Sequence, residues 1–193
     1  MNNYNLEKWL NFKLLARAKP NDLSVGWGEI CPEQANSITE ILDITKAKTV
    51  LEIGFNRGAS ALSWLLNDID FLYSIDIEGS MDVVNFIKEN FEKNRFNFKR
   101  IDSKLLTYQD LNMNFDMVFI DGDHSFLGAQ NDIQKAMLFS PKYILFDDYC
   151  HPYHGVDIKG AIDLFNGRFN KLKFIKQYES IHNPGFGLYE IVW

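Results

Sequence analysis

The sequence predicts an α/β fold: a mostly parallel sheet with helices on both faces. Three observations predict it. Short apolar runs rich in β-branched and aromatic residues alternate with stretches of helical spacing over most of the 193 residues, the pattern of parallel strands joined by crossover helices. The run Thr49-Val50-Leu51-Glu52-Ile53 passes through Gly54 and Gly58 into a helical stretch, Ala59 to Leu66. The chain closes on two strand-like runs around Asn183-Pro184-Gly185, a hairpin signal.

The elements follow in order. Leu6, Trp9, Leu10, Leu14 and Ala18 have helical spacing, and Pro20 ends that helix. Residues 21–31, with Gly26, Trp27 and Gly28, read as a loop, either a connector or a lid. Pro32 can open a second helix with Ala35, Ile38, Ile41 and Leu42 inward. After the glycine corner, Phe71 to Ile75 reads as a second strand ending at Asp76. Ser80 can cap a helix carrying Val84, Ile87 and Phe91. Phe96 to Ile101 reads as a third strand, Met117 to Ile120 as a fourth and Tyr143 to Phe146 as a fifth. Leu127 to Phe139 fits the helix between the last two, and Val156 to Phe165 the helix after them. Phe174 to Tyr178 and Phe186 to Val192 are the closing strands.

Composition narrows the function. Hydrophobic residues at 46% and charged residues at 24% describe a chain that buries a core. A net charge of -6 without a Lys/Arg cluster excludes a nucleic-acid backbone as a general partner. Two cysteines with no C-x-x-C pair argue against a zinc scaffold or a disulfide framework. No signal peptide and no apolar run of bilayer length is visible. The expectation is a soluble cytoplasmic protein with no membrane partner. It is one domain over 1–193, with N-terminal helices and a possible lid in 1–47 and a ligand-binding core in 48–193. Oligomeric state stays open, a homo-oligomer included.

The glycine corner is suited to a nucleotide. Gly54 lets backbone approach a ligand, and the helix start offers unpaired N–H groups. The spacing is G-x-x-x-G, not the G-x-G-x-x-G of a dinucleotide fold. Glu52 would repel a pyrophosphate but suits a cationic amino group. An acid at the tip of the second strand, as Asp76 is, sits where a ribose diol is gripped; Glu78 is a weaker candidate.

The pattern Glu52-x-Gly54-x-x-x-Gly58-x-Ser60 after a strand resembles motif I of the class I S-adenosylmethionine-dependent methyltransferases. The resemblance implies a doubly wound, Rossmann-like, seven-stranded sheet with an antiparallel last strand. It implies S-adenosyl-L-methionine (SAM) as cofactor, with Glu52 under its methionine end, Gly54 and Gly58 admitting it and Asn56 in the same turn. Ser60 with the helix N-terminus would hold its carboxylate. Ser103 would border the adenine; a helix cap accounts for Ser103 equally well.

Asp121, Asp147 and Asp148 end the fourth and fifth strands. If those strands are neighbours, three carboxylates meet at one edge of the pocket. Like charges so placed call for a cation, and carboxylates suit Mg²⁺. The stretches Phe119-Ile120-Asp121-Gly122-Asp123-His124 and Ile144-Leu145-Phe146-Asp147-Asp148-Tyr149 resemble the metal-dependent small-molecule O-methyltransferases, closest to the branch acting on macrolide and aminocoumarin sugars. That resemblance implies Mg²⁺ on Asp121, Asp147 and Asp148, with Asp121 also bordering the cofactor. It places the base at Asp123 or His124 and implies a small hydroxylated acceptor. His151, Tyr153 and His154 either shape the acceptor pocket or pack their loop. The rivals are a metal-independent methyltransferase, a non-catalytic SAM-binding module and an NAD-dependent oxidoreductase, the last disfavoured by G-x-x-x-G and Glu52.

Overall fold

The computed structural model describes residues 32–179 and 185–193. The helix expected over 4–18, the loop over 21–31 and most of the turn around Pro184 lie outside the described residues. Strands β1 (Thr49–Ile53), β2 (Phe71–Asp76), β3 (Phe96–Arg100), β4 (Met117–Ile120), β5 (Tyr143–Phe146), β6 (Leu172–Tyr178) and β7 (Phe186–Ile191) form one sheet. Its order is β3-β2-β1-β4-β5-β7-β6. The first five strands are parallel. β7 runs antiparallel to both β5 and β6, as expected for the closing hairpin.

Strand side chains alternate between two cores, which is why β1, β4 and β5 read as nearly continuous apolar runs. Val50, Met117, Phe119, Tyr143 and Leu145 face one layer. That layer is α1 (Pro32–Thr45), α2 (Ala59–Leu65) and α3 (Met81–Asn90), with Ile41, Leu62, Trp64 and Ile87 buried in it. Leu51, Ile53, Val118, Ile120, Ile144 and Phe146 face the other. There α5 (Phe126–Met137) supplies Ala129, Ile133 and Ala136, and α6 (His154–Phe169) supplies Ile158, Ala161, Ile162 and Phe165. A one-turn helix, α4 (Tyr108–Leu111), follows a 3₁₀ turn, Ser103–Leu105; neither was visible as a periodic pattern.

Several boundaries differ from expectation for local reasons. Ser80 occupies the N-cap position of α3, but its side chain makes no capping bond, and Phe91 is the C-cap, just beyond the helix. Helix α6 starts two residues earlier than the apolar spacing suggests. The His151 Nδ1 accepts hydrogen bonds from the backbone N–H groups of Tyr153 (3.2 Å) and His154 (3.1 Å), so an imidazole does the work usually assigned to Ser, Thr, Asp or Asn. The helix runs on to Phe169 and ends on Asn170 in the left-handed conformation. Strand β6 starts at Leu172 and carries an irregularity between Phe174 and Lys176, the kind of break that bends a sheet edge.

Candidate active site

The corner after β1 is drawn together by backbone. Gly54 N donates to Ile75 O at 2.9 Å, and Asp121 N donates to Ile53 O at 2.8 Å. Gly54 has φ +101, and a Cβ there would lie 1.9 Å from the Asp121 carbonyl oxygen. The glycine is therefore required first by the approach of β4, before any ligand enters. Gly58 caps α2 at φ +71, and a Cβ there would meet the Phe55 ring at 2.7 Å and Val83 at 2.9 Å. Asn56, also left-handed at φ 46, is exposed in the turn between them.

Asp76 holds this corner in shape. Its Oδ2 accepts from the backbone N–H of Phe55 (2.8 Å) and Asn56 (2.7 Å), and its Oδ1 from Glu78 (2.8 Å) and Gly79 (3.2 Å). Four donors converge on one carboxylate, so the acid read as a ribose contact also ties two turns together.

Glu52 is fully buried on β1, opposite Ser74 in the register. Ser74 donates to its Oε2, while Oε1 is buried without a hydrogen-bond partner. Burial pushes its pKa up to about 8, against the pull of the Ser60 and Ser74 hydroxyls and with a push from Asp121 and Asp76. Ser60 is buried next to this acid.

Ser103 is not the cap of its turn. Asp102 accepts from Lys104 N and fills that position, while the Ser103 hydroxyl donates to Asp132 Oδ1 at 2.7 Å. Asp132 is buried in α5, its Oδ2 has no partner, and that oxygen lies 2.8 Å from where a Gly122 Cβ would be. Sequence reasoning passed over Asp132. The available signal was an acid on the apolar stripe of Ala129, Ile133 and Ala136.

At the next strand ends the acids meet, as the sequence suggested. β4 and β5 are neighbours with Ile120 opposite Phe146, which brings Asp121 and Asp147 side by side. Burial raises the pKa of Asp121; burial and the charges of Asp121 and Asp148 raise that of Asp147 well above the usual carboxylate range. His124 sits between acids: its Nε2 is 3.2 Å from Asp121 Oδ1 and its Nδ1 is 2.7 Å from Asp148 Oδ2. Burial alone would lower its pKa, but those two carboxylates outweigh burial and raise it to about 10. An ordinary histidine value, expected from the isolated residue, does not hold in this setting. Asp148 adopts φ 53, a costly backbone state for a residue other than glycine. Despite burial, its pKa is lowered by the His124 hydrogen bond and by the charges of His124, His151 and His154.

Asp123 points elsewhere. Its carboxylate accepts from Ser125 N at 3.0 Å and lies 3.7 Å from the Lys104 ammonium, half exposed. The Ser125 bonds lower its pKa, which weakens it as a base. His154 joins the cluster instead: the ligand atoms of His124, Asp148 and His154 all lie within 4.8 Å of one another. The three-carboxylate set fits a divalent cation by donor type and by the crowding of like charges in one buried corner.

Fold and site define a class: an α/β protein with a nucleotide corner and an acid–imidazole cluster at the carboxyl ends of its strands, where such sheets bind ligands. A family model described as O-methyltransferase matches residues 13–138, and the chain belongs to that family. It is 27% identical over 116 residues to a protein of Mycobacterium sp. (strain JLS) named provisionally as an O-methyltransferase; the match covers 57% of this chain and 52% of that protein, so the chain spans about half the length of the curated relative it matches. Among solved structures, the O-methyltransferase TomG of Streptomyces achromogenes, involved in tomaymycin synthesis and in complex with SAM, superposes with a TM-score of 0.71 at 17% identity, covering 96% of this chain and 90% of that one. An O-methyltransferase from Bacillus cereus in complex with S-adenosylhomocysteine (SAH) gives 0.65 at 17% identity, covering 100% and 92%. Both likenesses are of fold. No described helix is long and apolar enough to cross a membrane.

Proposed function

We propose that the chain transfers the methyl group of SAM to a hydroxyl of a small acceptor, assisted by a divalent cation. One observation carries the reading. A buried carboxylate with an unpartnered oxygen backs the glycine corner, and an acid–imidazole cluster occupies the adjoining strand ends of the same sheet edge. The first is what a cofactor with a cationic, hydroxylated body needs, and the second is what a hydroxyl about to lose its proton needs.

SAM, when bound, supplies a sulfonium methyl that moves by in-line displacement, so the protein's task is placement. Glu52 offers Oε1 to the cofactor. Asp76 ties the turn at Phe55 and Asn56 to the turn at Glu78 and Gly79, beside the position of the ribose. Ser103 and Gly122 border the adenine side, and Asn56 and Gly58 shape the turn. Asp121, Asp147 and Asp148 would hold Mg²⁺, which lowers the pKa of a coordinated hydroxyl and orients it. With an ion on those three acids, the charges that keep His124 protonated would be offset, and its neutral imidazole would then be the group placed to take the acceptor proton, since Asp123 is turned to the surface.

The acceptor class is a sugar or natural-product hydroxyl. The resemblance of the two acid motifs supports this, as does the tomaymycin-pathway assignment of one fold neighbour. Leu127, Tyr153 and Val156 are exposed apolar side chains within a few residues of His124 and His154 and would give such an acceptor an apolar rim. The test is a donor-consumption assay over a panel of hydroxylated acceptors, with and without EDTA. Conversion of SAM to SAH that stops with EDTA and returns with Mg²⁺ supports the reading. Turnover indifferent to EDTA leaves a metal-independent methyltransferase. SAH binding without turnover on any acceptor leaves a binding module.

A further inference from the structure

We propose that Asp132 is a positioning residue: it fixes the Ser103 hydroxyl as a hydrogen-bond acceptor and so makes the cofactor pocket select a 6-amino purine over a 6-oxo one. The inference rests on the methyltransferase reading, which puts the adenine beside Ser103 and Gly122. It adds to that reading an acid of helix α5, buried behind those two residues.

Geometry carries it. The Ser103 hydroxyl donates to Asp132 Oδ1 at 2.7 Å. The Asn131 amide donates to the same oxygen at 3.0 Å and reaches Ser103 Oγ at 3.4 Å. A hydroxyl has one proton and two lone pairs. Ser103 therefore gives its proton to Asp132 and one lone pair to Asn131, and one lone pair is left. The residue is half-buried, so a ligand can reach it. Protonation of Asp132 does not alter this. With two donors already on Oδ1, the proton would go to Oδ2, and Ser103 would still donate.

Stability alone does not account for this acid. Asp132 is 1% exposed, and its Oδ2 has no hydrogen-bond partner among the described residues, an arrangement that costs folding free energy. That oxygen lies 2.8 Å from where a Gly122 Cβ would be, so the carboxylate fills the space beside the glycine and joins the turn after β4 to the turn after β3. What the acid achieves there is to fix one hydroxyl in one sense. The exocyclic amine of adenine is a donor, and an acceptor fixed in advance suits it. The carbonyl of a 6-oxo purine would meet a lone pair with no proton between them, the mismatch that a site built around a polar partner rejects.

The experiment measures the affinity of the full chain for SAH and for S-inosylhomocysteine, which carries the 6-oxo purine instead. Wild type should prefer SAH by roughly 10- to 100-fold. In Asp132→Ala the Ser103 hydroxyl is released to donate as well as accept, and the preference should fall to about threefold or less. Asp132→Asn keeps an acceptor oxygen for Ser103 and Asn131 and should retain the preference. Ser103→Ala should lose it, and adding Asp132→Ala to Ser103→Ala should remove nothing more, as expected of two residues that act through one contact. Asp132→Leu, a good helix former of similar volume, repeats the measurement where the alanine variant fails to fold. A purely structural role would weaken both ligands alike. An unchanged ratio in Asp132→Ala or Asp132→Leu therefore overturns the inference, as does a wild type that binds the two ligands equally, and both results leave the methyltransferase reading intact. Failure of the wild-type chain to bind SAH at all overturns that reading.

Discussion

Glu52 holds a proton at neutral pH that the unfolded chain would release. Its folded pKa of about 8 lies above the ordinary value of 4.5. Between those values the folded state binds more protons than the unfolded one, so stability falls as pH rises through that window. Glu52→Gln keeps an acceptor for Ser74 and removes the titration. Relative to wild type, the ligand-free variant should gain stability as pH rises from 4.5 through about 8, by roughly several kcal/mol at about 1.4 kcal/mol per pKa unit, and the difference should be smallest near pH 4.5. SAH affinity should fall in the same variant, because an amide cannot ionise to face the ammonium of the bound amino-acid end. Thermal scans at several pH values and a binding titration read both; a flat difference across pH would remove the buried-acid account. Gly54 teaches a related lesson. The sequence pointed to the glycine and to its corner, but its first neighbour is the Asp121 carbonyl at 1.9 Å from a would-be Cβ. Gly54→Ala should therefore destabilise the ligand-free protein by roughly 2–4 kcal/mol, combining overpacking with left-handed strain, measurable as a lower denaturation midpoint with no cofactor present. A variant as stable as wild type that merely failed to bind SAH would show that only the cofactor needs the glycine.

At the scale of elements, the strands were legible because each is a short apolar run bounded by turn residues, and burial on both faces leaves no other use for such a run. The helices were legible where an apolar stripe recurs over two turns or more, as in α5 with Ala129, Ile133 and Ala136. Helix α4 has only four residues and no period to detect. It is held by chemistry: Thr107 and Asp110 form a reciprocal capping box, and Asp110 Oδ1 is 2.6 Å from the Lys99 ammonium at the end of β3. The T-x-x-D spacing was the readable signal. The Lys99 and Thr107 hydrogen bonds lower the Asp110 pKa to about 2. A depressed folded pKa means that the stabilisation is complete above the ordinary aspartate value and is lost as pH falls through about 2. Asp110→Asn should lower the melting temperature slightly at pH 6, and its difference from wild type should vanish near pH 2. A gap that persisted at low pH would assign the effect to packing of α4, not to the ion pair.

In the molecule as a whole, the strand order brings the reactive groups to one edge, and the sequence allowed that much: acids at strand tips converge once β4 and β5 are neighbours. The imidazole clamp was not legible, because no spacing rule says that His124 lies between Asp121 and Asp148 or that His154 faces it across the start of α6. The edge is arranged for a ligand at some expense in stability. Asp121 and Asp147 share a buried corner with Asp148, and the raised pKa values of the first two reflect burial and like charge. Asp147→Asn removes an acid whose ionisation burial and its neighbours oppose, yet leaves an N–H donor for Asp121. The ligand-free variant should thus melt higher than wild type, by roughly a few degrees. The order should reverse when the site is filled. A cation at one hundred times its dissociation constant adds about 2.7 kcal/mol to a chain that binds it, and Asp147→Asn should gain little. SAH should stabilise wild type and variant alike, because Asp147 is assigned no contact with the cofactor. Melting curves of both proteins, alone, with SAH, and with SAH plus divalent ion, separate these effects. Equal cation-induced shifts in the two proteins would remove Asp147 from the metal site, and a variant less stable than wild type without ligands would mean that the cluster is held together by its acids and not strained by them.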